Sequence, residues 1–306
     1  MGRGGGAGMS RSILPVTTVV VVILALWYAA CVPMNAQWTR DQAQRAGVEL
    51  TLGELVAASM NQSRPRLATP HQIAVELWNS TWVEEVHGRR GIVNSGTLSN
   101  RSLVYHGWVT LSATMLGFAM GAGLGITLAV GIVHNRAMDA SVMPWAIASQ
   151  TIPIIAIAPM VVVILSSVGI TGMVPKAVIA AYLAFFPVVV GMVKGLRAAE
   201  AHQLDLMRTW NADGLQTFLR LRLPVSVPYL FASFKVAIAA AVVGTIVGEL
   251  PVQQGGLGTR LLVGSQFGNP IQVWAALFAA AILAAALVGL VGLLQRVTLR
   301  RMGMAE

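Results

Sequence analysis

The sequence predicts an all-α, polytopic transmembrane bundle of about six spans, with an extracytoplasmic insertion near its N-terminus. Three observations carry that class. Hydrophobic residues make up 56% of the 306-residue chain, charged residues only 11%, and the mean hydropathy is +0.69. A soluble protein of this length has too little interior to hide so much apolar surface. Apolar runs also recur at the length a bilayer demands, about 20 residues each. Finally, basic residues gather at the ends of those runs, so the net charge of +9 follows from membrane topology and requires no nucleic-acid partner.

The runs fall at 12–32, 108–133, 144–165, 176–195, 228–250 and 272–297, the third being the least regular. Their flanks set the orientation. Arg3, Arg11, Arg136, Lys194, Arg197, Arg208, Arg220, Arg222, Arg296, Arg300 and Arg301 share one side, whereas the two short opposite loops carry only Lys176 and Arg260. Residues 34–107 add seven arginines balanced by acids, and a loop longer than about 60 residues carries little topological weight. Both termini and the stretch 205–224 are therefore expected in the cytoplasm. The chain divides into a cytoplasmic tail (1–11), a first transmembrane helix (12–33), an extracytoplasmic segment (34–107) and a core (108–306).

Cys31 is the single cysteine, which excludes a disulfide framework and a cysteine-ligated cluster. With "WYAAC" before it, the first run has a competing reading as a lipoprotein signal. Tyr28 stands where such signals favour leucine, and the run is long enough to span, so a retained helix is expected. The glycine-rich "GRGGGAG" before it reads as a flexible tail. In the outer segment, Thr51 and Glu54 form a capping box for a short helix. Thr69 with Pro70 supplies an N-cap and a first-turn proline for a second. These are two amphipathic helices, lying on lipid or forming a docking platform.

The stretch "DLMRTWNADGLQTFLRLRLP" (205–224) interrupts the apolar pattern. Leu204, Met207 and Trp210 recur at helical spacing, "NADG" breaks it, and Asp213 with Gln216 caps a second helix. Leu215, Phe218 and Leu219 share one side of that helix, Arg220 and Arg222 sit near its C-terminal end, and Pro224 is expected to stop it. The product is a cytoplasmic helix–turn–helix with an apolar stripe, resting on lipid or plugging a partner.

Asp205-Leu206-Met207, then Asn211, then Leu221-Arg222-Leu223-Pro224 keep the spacing E-A-A-x3-G-x9-I-x-L-P. In this the chain resembles the inner-membrane permeases of binding-protein-dependent ABC importers. Aspartate replaces glutamate, asparagine stands at the glycine, and Leu206 and Met207 stand at the alanines. "TLSATMLGF" (110–118) is similar to the family's T-L-x-R-x3-G-F, with Ala113 at the arginine. "SQTIPIIAIAPMVVV" (149–163) and "VGELPVQQGGLGTRLL" (247–262) resemble its nitrate/sulfonate/taurine-type branch, which also takes up pyrimidine, thiamine-precursor and flavin-like substrates. The resemblance runs over 68–300, and 35–66 has no counterpart in it.

The resemblance implies a type I importer permease fold and a passive transport subunit with no catalytic residue. ATP and Mg²⁺ belong to a separate cytoplasmic ATPase; this chain has no G-x4-G-K-[ST] and is expected to bind no cofactor or metal. It also implies an extracytoplasmic substrate-binding protein and, since one chain supplies one coupling element where an importer needs two, a second copy of itself. Residues 200–224 become the coupling helices, with Asp205, Met207, Trp210, Asn211, Asp213, Gly214 and Leu215 facing the ATPase. The expected location is the inner membrane, in contact with lipid.

For the translocation path or gate, the candidates are Ser149, Gln150, Thr151, Pro153, Lys235, Thr245 and Glu249. Pro153 and Pro159 interrupt the third run, and broken backbone is tolerated only in protein or beside a water-filled cavity. A kink whose polar groups cap neighbouring carbonyls fits the same residues. Lys235 and Glu249 return to nearly one face of the fifth run, fourteen residues apart. Lys235 can snorkel, whereas an acid at a helix C-terminus opposes the dipole and needs water or a partner such as Arg260. "GGLG" (255–258) beside it is a loop, too short for a dinucleotide fingerprint. Gly117, Gly121 and Gly125 form a double G-x3-G that permits close helix packing.

A secondary transporter would show inverted repeats and intramembrane coupling-ion ligands, which are lacking. An intramembrane hydrolase or metalloenzyme would cluster its histidines, but His71, His87, His106, His134 and His202 lie outside the expected spans without ligand spacing.

Overall fold

Apolar runs too long for a soluble helix, punctuated by capping residues, give an all-helical chain. The computed structural model describes residues 7–81 and 102–304, and no strand occurs among them. Arg3, His87 and Gly2–Gly6 of the expected tail lie outside the described residues. The chain forms two compact units, Met1–Thr97 with Leu261–Leu277, and Leu98–Arg260 with Phe278–Glu306. Among the described residues, five helices are long and apolar enough to cross a membrane, or six if one bent pair counts as a span.

In the first unit, α1 (Ala7–Ala46) does not end near Val32 as expected but continues through Pro33. Its C-terminal half is held by α2 (Leu52–Met60) and α3 (Pro70–Thr81). The capping box of Thr51 and Glu54 is formed, and its hydrogen bonds hold the exposed Glu54 carboxyl below the usual carboxylate range. What extends α1 is a polar knot. Asn35 is fully buried, its amide donating to the carbonyls of Ser59 (3.2 Å) and Leu67 (2.9 Å) and accepting from Leu67 N–H (3.1 Å). Trp27 donates to Ala68 O at 3.0 Å and meets Trp274 at 5.0 Å. Cys31 is fully buried beside Ala68 O. The inward faces of α2 and α3 are thus taken up by α1.

The second unit is built on α4 (Leu103–His134), which starts earlier than the expected 108 and takes in His106 and His134. The third run is broken in the middle. It splits into α5 (Arg136–Ser149) and α6 (Ile154–Ser167), which meet at 100°. The break falls at 150–153, where Pro153 precedes α6, while Pro144 and Pro159 lie inside helices. Pro153 lacks the N–H that would continue α5, and Gln150 and Thr151 close its end with short-range turns.

Next come α7 (Met173–Leu196), the short α8 (Ala201–Thr209) and α9 (Gly214–Thr217), and α10 (Leu223–Val252). Pro224 does not stop the helix. A π-turn over Phe218–Arg222 joins α9 to α10, with Leu223 N–H bonded to Phe218 O. The wider turn offers a proline a place without a break, so 214–252 is one continuous helical rod. α11 (Leu257–Gln266) and α12 (Pro270–Arg301) complete the chain.

The core lies where α7 meets α4 and α10. A Cβ at Gly117, Gly121 or Gly125 would come within 2.5–2.8 Å of Ala180 Cβ, Ala181 O or Phe185 O on α7. A Cβ at Gly244 of α10 would lie 2.8 Å from Ala180 Cα. Small residues let the backbones approach, and van der Waals contact replaces the hydrophobic drive that lipid cannot supply. Ala122, Ala180, Ala184, Val188, Ala237 and Ala241 fill the seam.

Candidate functional site

Three features can do more than hold the helices together. The first is Glu249, one turn from the C-terminal end of α10 and fully buried. Thr110 of α4 donates its hydroxyl to Oε1 at 2.7 Å, and Gly258 N–H donates to Oε2 at 2.7 Å. Thr110 in turn accepts from Leu257 N–H at 2.9 Å, and His106 Nδ1 accepts from Gly256 N–H at 2.9 Å. The cation beside Glu249 is Lys176 of α7, 1% exposed, which donates to Gly255 O at 2.8 Å.

The loop closes over the carboxylate only because of its glycines. Gly256 has φ +116°, and a Cβ there would lie 2.1 Å from Glu249 Cδ. A Cβ at Gly258 would meet Ile246 O at 2.4 Å. The arrangement is a latch, in which a buried carboxyl gathers one backbone N–H from the loop and one hydroxyl from another helix, while two further loop N–H groups are held by His106 and Thr110. A buried charge is tolerated only when so paired. One level inward, Thr114 of α4 donates to Thr245 of α10 at 2.9 Å.

Glu249 and Thr245 are gate candidates by sequence, and the residues that surround them differ from expectation. Lys176 was expected in a loop; it is buried in the first turns of α7. His106 was placed outside the spans; it lies within α4 and is buried. Thr110 opens the "TLSATMLGF" stretch, the one available hint of its role. Lys235 and Glu249 do not meet, since the Lys235 stem lies against Gly292 of α12.

The second feature is the element from Glu200 to Arg222. A capping box at Glu200 starts α8, and Asp213 starts α9 by accepting from Gln216 N–H at 2.6 Å. Between them Asn211 has φ +52°, a left-handed conformation that asparagine tolerates where most side chains do not. Of the expected apolar stripe only Trp210, Leu215 and Leu219 face outward. Met207 is buried and Leu204 half-buried, while Phe218 packs edge-on against His134. The outward face carries Leu206 on α8, Trp210 at its C-cap, and Leu215 and Leu219 beyond the turn, with Trp210 71% and Leu215 65% exposed. Asp205 is exposed and pairs with Arg208 at 2.9 Å. Asp213 and Gly214 are exposed too.

The third is the α5–α6 break. Ser149 donates to Ala146 O and Thr151 to Ala148 O, both at 2.7 Å, and Gln150 reaches Ser149 Oγ. Tyr182 of α7 donates to Ser149 O. The polar groups cap α5, and Thr151, Ile152 and Pro153 are left exposed. Among the described residues no group of His, Cys, Asp and Glu has the geometry to hold a metal.

The family described as binding-protein-dependent transport system inner membrane component matches residues 121–304. A formylaminopyrimidine transport permease protein of Halalkalibacterium halodurans is 33% identical over 180 residues, 56% of this chain and 68% of that one. A probable ABC transporter permease protein of Haemophilus influenzae is 33% identical over 157 residues, 51% of this chain and 62% of that protein's length. A chain of the MetNI methionine ABC transporter, solved in inward-facing conformations, superposes with a TM-score of 0.51 at 22% identity. The superposition covers 64% of this chain and 95% of that one, and it concerns the fold alone. The matched span contains the latch carboxylate, the α8–α9 turn and the π-turn together, and on that span the chain belongs to the binding-protein-dependent transport system inner membrane component family.

Proposed function

We propose that this chain is the membrane-spanning subunit of an ATP-driven importer for a small organic solute, of the nitrate, sulfonate or taurine type or of the pyrimidine, thiamine-precursor or flavin type. It works with a cytoplasmic ATPase that binds ATP and Mg²⁺, an extracytoplasmic substrate-binding protein and a second copy of itself. Both termini and the α8–α9 element face the cytoplasm.

The observation that carries this reading is the exposed stripe of α8 and α9 joined to α10 without a break. Burying a leucine is favourable by about 1.5–3 kcal/mol, so Leu206, Trp210, Leu215 and Leu219 favour an apolar socket over water. The element reaching that socket is the start of the rod 214–252, about 57 Å long at about 1.5 Å per residue. Displacement of α9 by nucleotide-driven closure is therefore delivered to α10 as a whole, and Glu249 rides near its far end. In this mechanism the latch ties that end to α4 and α7 until the rod moves. The α5–α6 break supplies the path. Its exposed non-helical backbone is incompatible with lipid, so it faces water or the second copy.

The test is Trp210→Glu, which would bury an unpaired charge in the socket. We expect the permease to insert normally while association with the ATPase subunit and uptake are both lost. A Trp210→Glu complex that assembles and hydrolyses ATP with normal stimulation would refute the coupling role.

A further inference from the structure

A cavity of about 640 Å³ opens between α10 and α12, lined by Lys235, Gly292, Gln295, Leu299, Arg296 and Arg300 among others. Among the described residues no carboxylate lines it, and none of its three cations has an ion-pair partner. Its volume is that of a small-molecule pocket, about 300–1,000 Å³. We propose that it binds the phosphodiester headgroup of an anionic phospholipid.

The geometry supports a lipid in three ways. Gly292, Arg296 and Arg300 recur every four residues on one face of α12, so the cations climb from the helix end toward Lys235. Lys235 lies twelve residues into α10, about 18 Å along its axis at about 1.5 Å per residue. Its stem passes over Gly292, where an added Cβ would lie 3.6 Å from Lys235 Cε. Long cationic stems reach from such depth toward the headgroup level. The flank of the cavity is apolar and open, because Leu293, Leu294 and Val297 of α12 and Val236 of α10 are exposed. Acyl chains fit along that flank, while guanidinium forks grip phosphate oxygens in pairs. Basic pockets between transmembrane helices are a known way of holding anionic headgroups. The shared chemistry is a compact oxyanion, so a free phosphate or sulfonate is the competing source.

The experiment is lipid quantification by mass spectrometry on the full-length chain purified with its ATPase from a native membrane. We expect phosphatidylglycerol and cardiolipin to be enriched over bulk lipid. Each of Lys235→Gln, Arg296→Gln and Arg300→Gln should cut retention by roughly fivefold, as expected for one basic residue near a membrane surface. Arg301→Gln, outside the cavity on the same helix end, should change nothing. Gly292→Leu fills the cavity but keeps every cation, and it should abolish the enrichment, separating a built pocket from net charge. Equal enrichment in wild type, the cation variants and Gly292→Leu overturns the proposal. So does displacement of the lipid by millimolar inorganic phosphate or methanesulfonate, which would assign the cavity to a free oxyanion.

Discussion

Glu249 is held by donors only. Thr110 has its hydroxyl proton committed to Oε1 and one of its two lone pairs to Leu257 N–H, and Gly258 offers an N–H to Oε2. Glu249→Gln can keep only one arrangement, its amide oxygen accepting from Gly258 N–H and its NH₂ donating to the second lone pair of Thr110, whose own hydroxyl proton then loses its acceptor. We expect a stability loss of about 1–3 kcal/mol, the cost of a buried group left unsatisfied. With the latch weakened, basal ATPase activity in liposomes should rise and uptake should fall, while the preference of the binding protein is unchanged. Lys176→Met should be destabilising by leaving the carboxylate without its cation. The double variant should lose less than the two single losses added, by about 0.5–3 kcal/mol, because opposite charges buried near one another couple. Denaturation midpoints that add without such a difference would dissolve the Lys176–Glu249 partnership.

At the scale of elements, the seam between α4 and α7 rests on absent side chains. Gly121 faces Ala181 O, where a Cβ would lie at 2.8 Å, whereas nothing lies within 4 Å of a Cβ at Gly123. Gly121→Ala should cost about 1–3 kcal/mol by overpacking, and Gly123→Ala should be neutral or slightly stabilising, since alanine favours helix. Unfolding in mixed micelles compares the two; equal midpoints would show that the seam yields. The glycine repeat was legible in the sequence because spacing alone places 117, 121 and 125 on one face. Its partner was not, because contact with Ala177–Val188 depends on how two helices cross.

For the whole molecule, orientation is the decisive property. In a Cys31→Ala background, Gln254→Cys lies in the exposed turn after α10 and Gly214→Cys at the opposite end of the same rod. An impermeant thiol reagent added to intact cells should label Gln254→Cys and leave Gly214→Cys untouched until the membrane is opened. The reverse pattern would invert the topology and remove the coupling argument. Gly258 is unsuitable for such labelling, since a Cβ there strikes Ile246 O.

The sequence by itself determined whatever a residue does alone or with its near neighbours. Transfer of apolar side chains out of water located five spans, hydrogen-bond capping placed Thr51, Asp213 and Pro70 at helix starts, and the tolerance of asparagine for positive φ put the turn at Asn211. Tertiary structure alone decided matters that depend on pairs of distant residues. Thr110 and Glu249 are 139 positions apart and Leu257 and Thr110 147, so no local pattern announces the latch. The same holds for which face of α8 turns outward, because Met207 is drawn inward by packing and Trp210 left outside. It holds too for Pro224, which local rules make a stop and a π-turn makes a continuation. Propensity acts on each residue separately; a buried carboxylate, a crossing seam and a bent span exist only once other parts of the chain arrive to satisfy them.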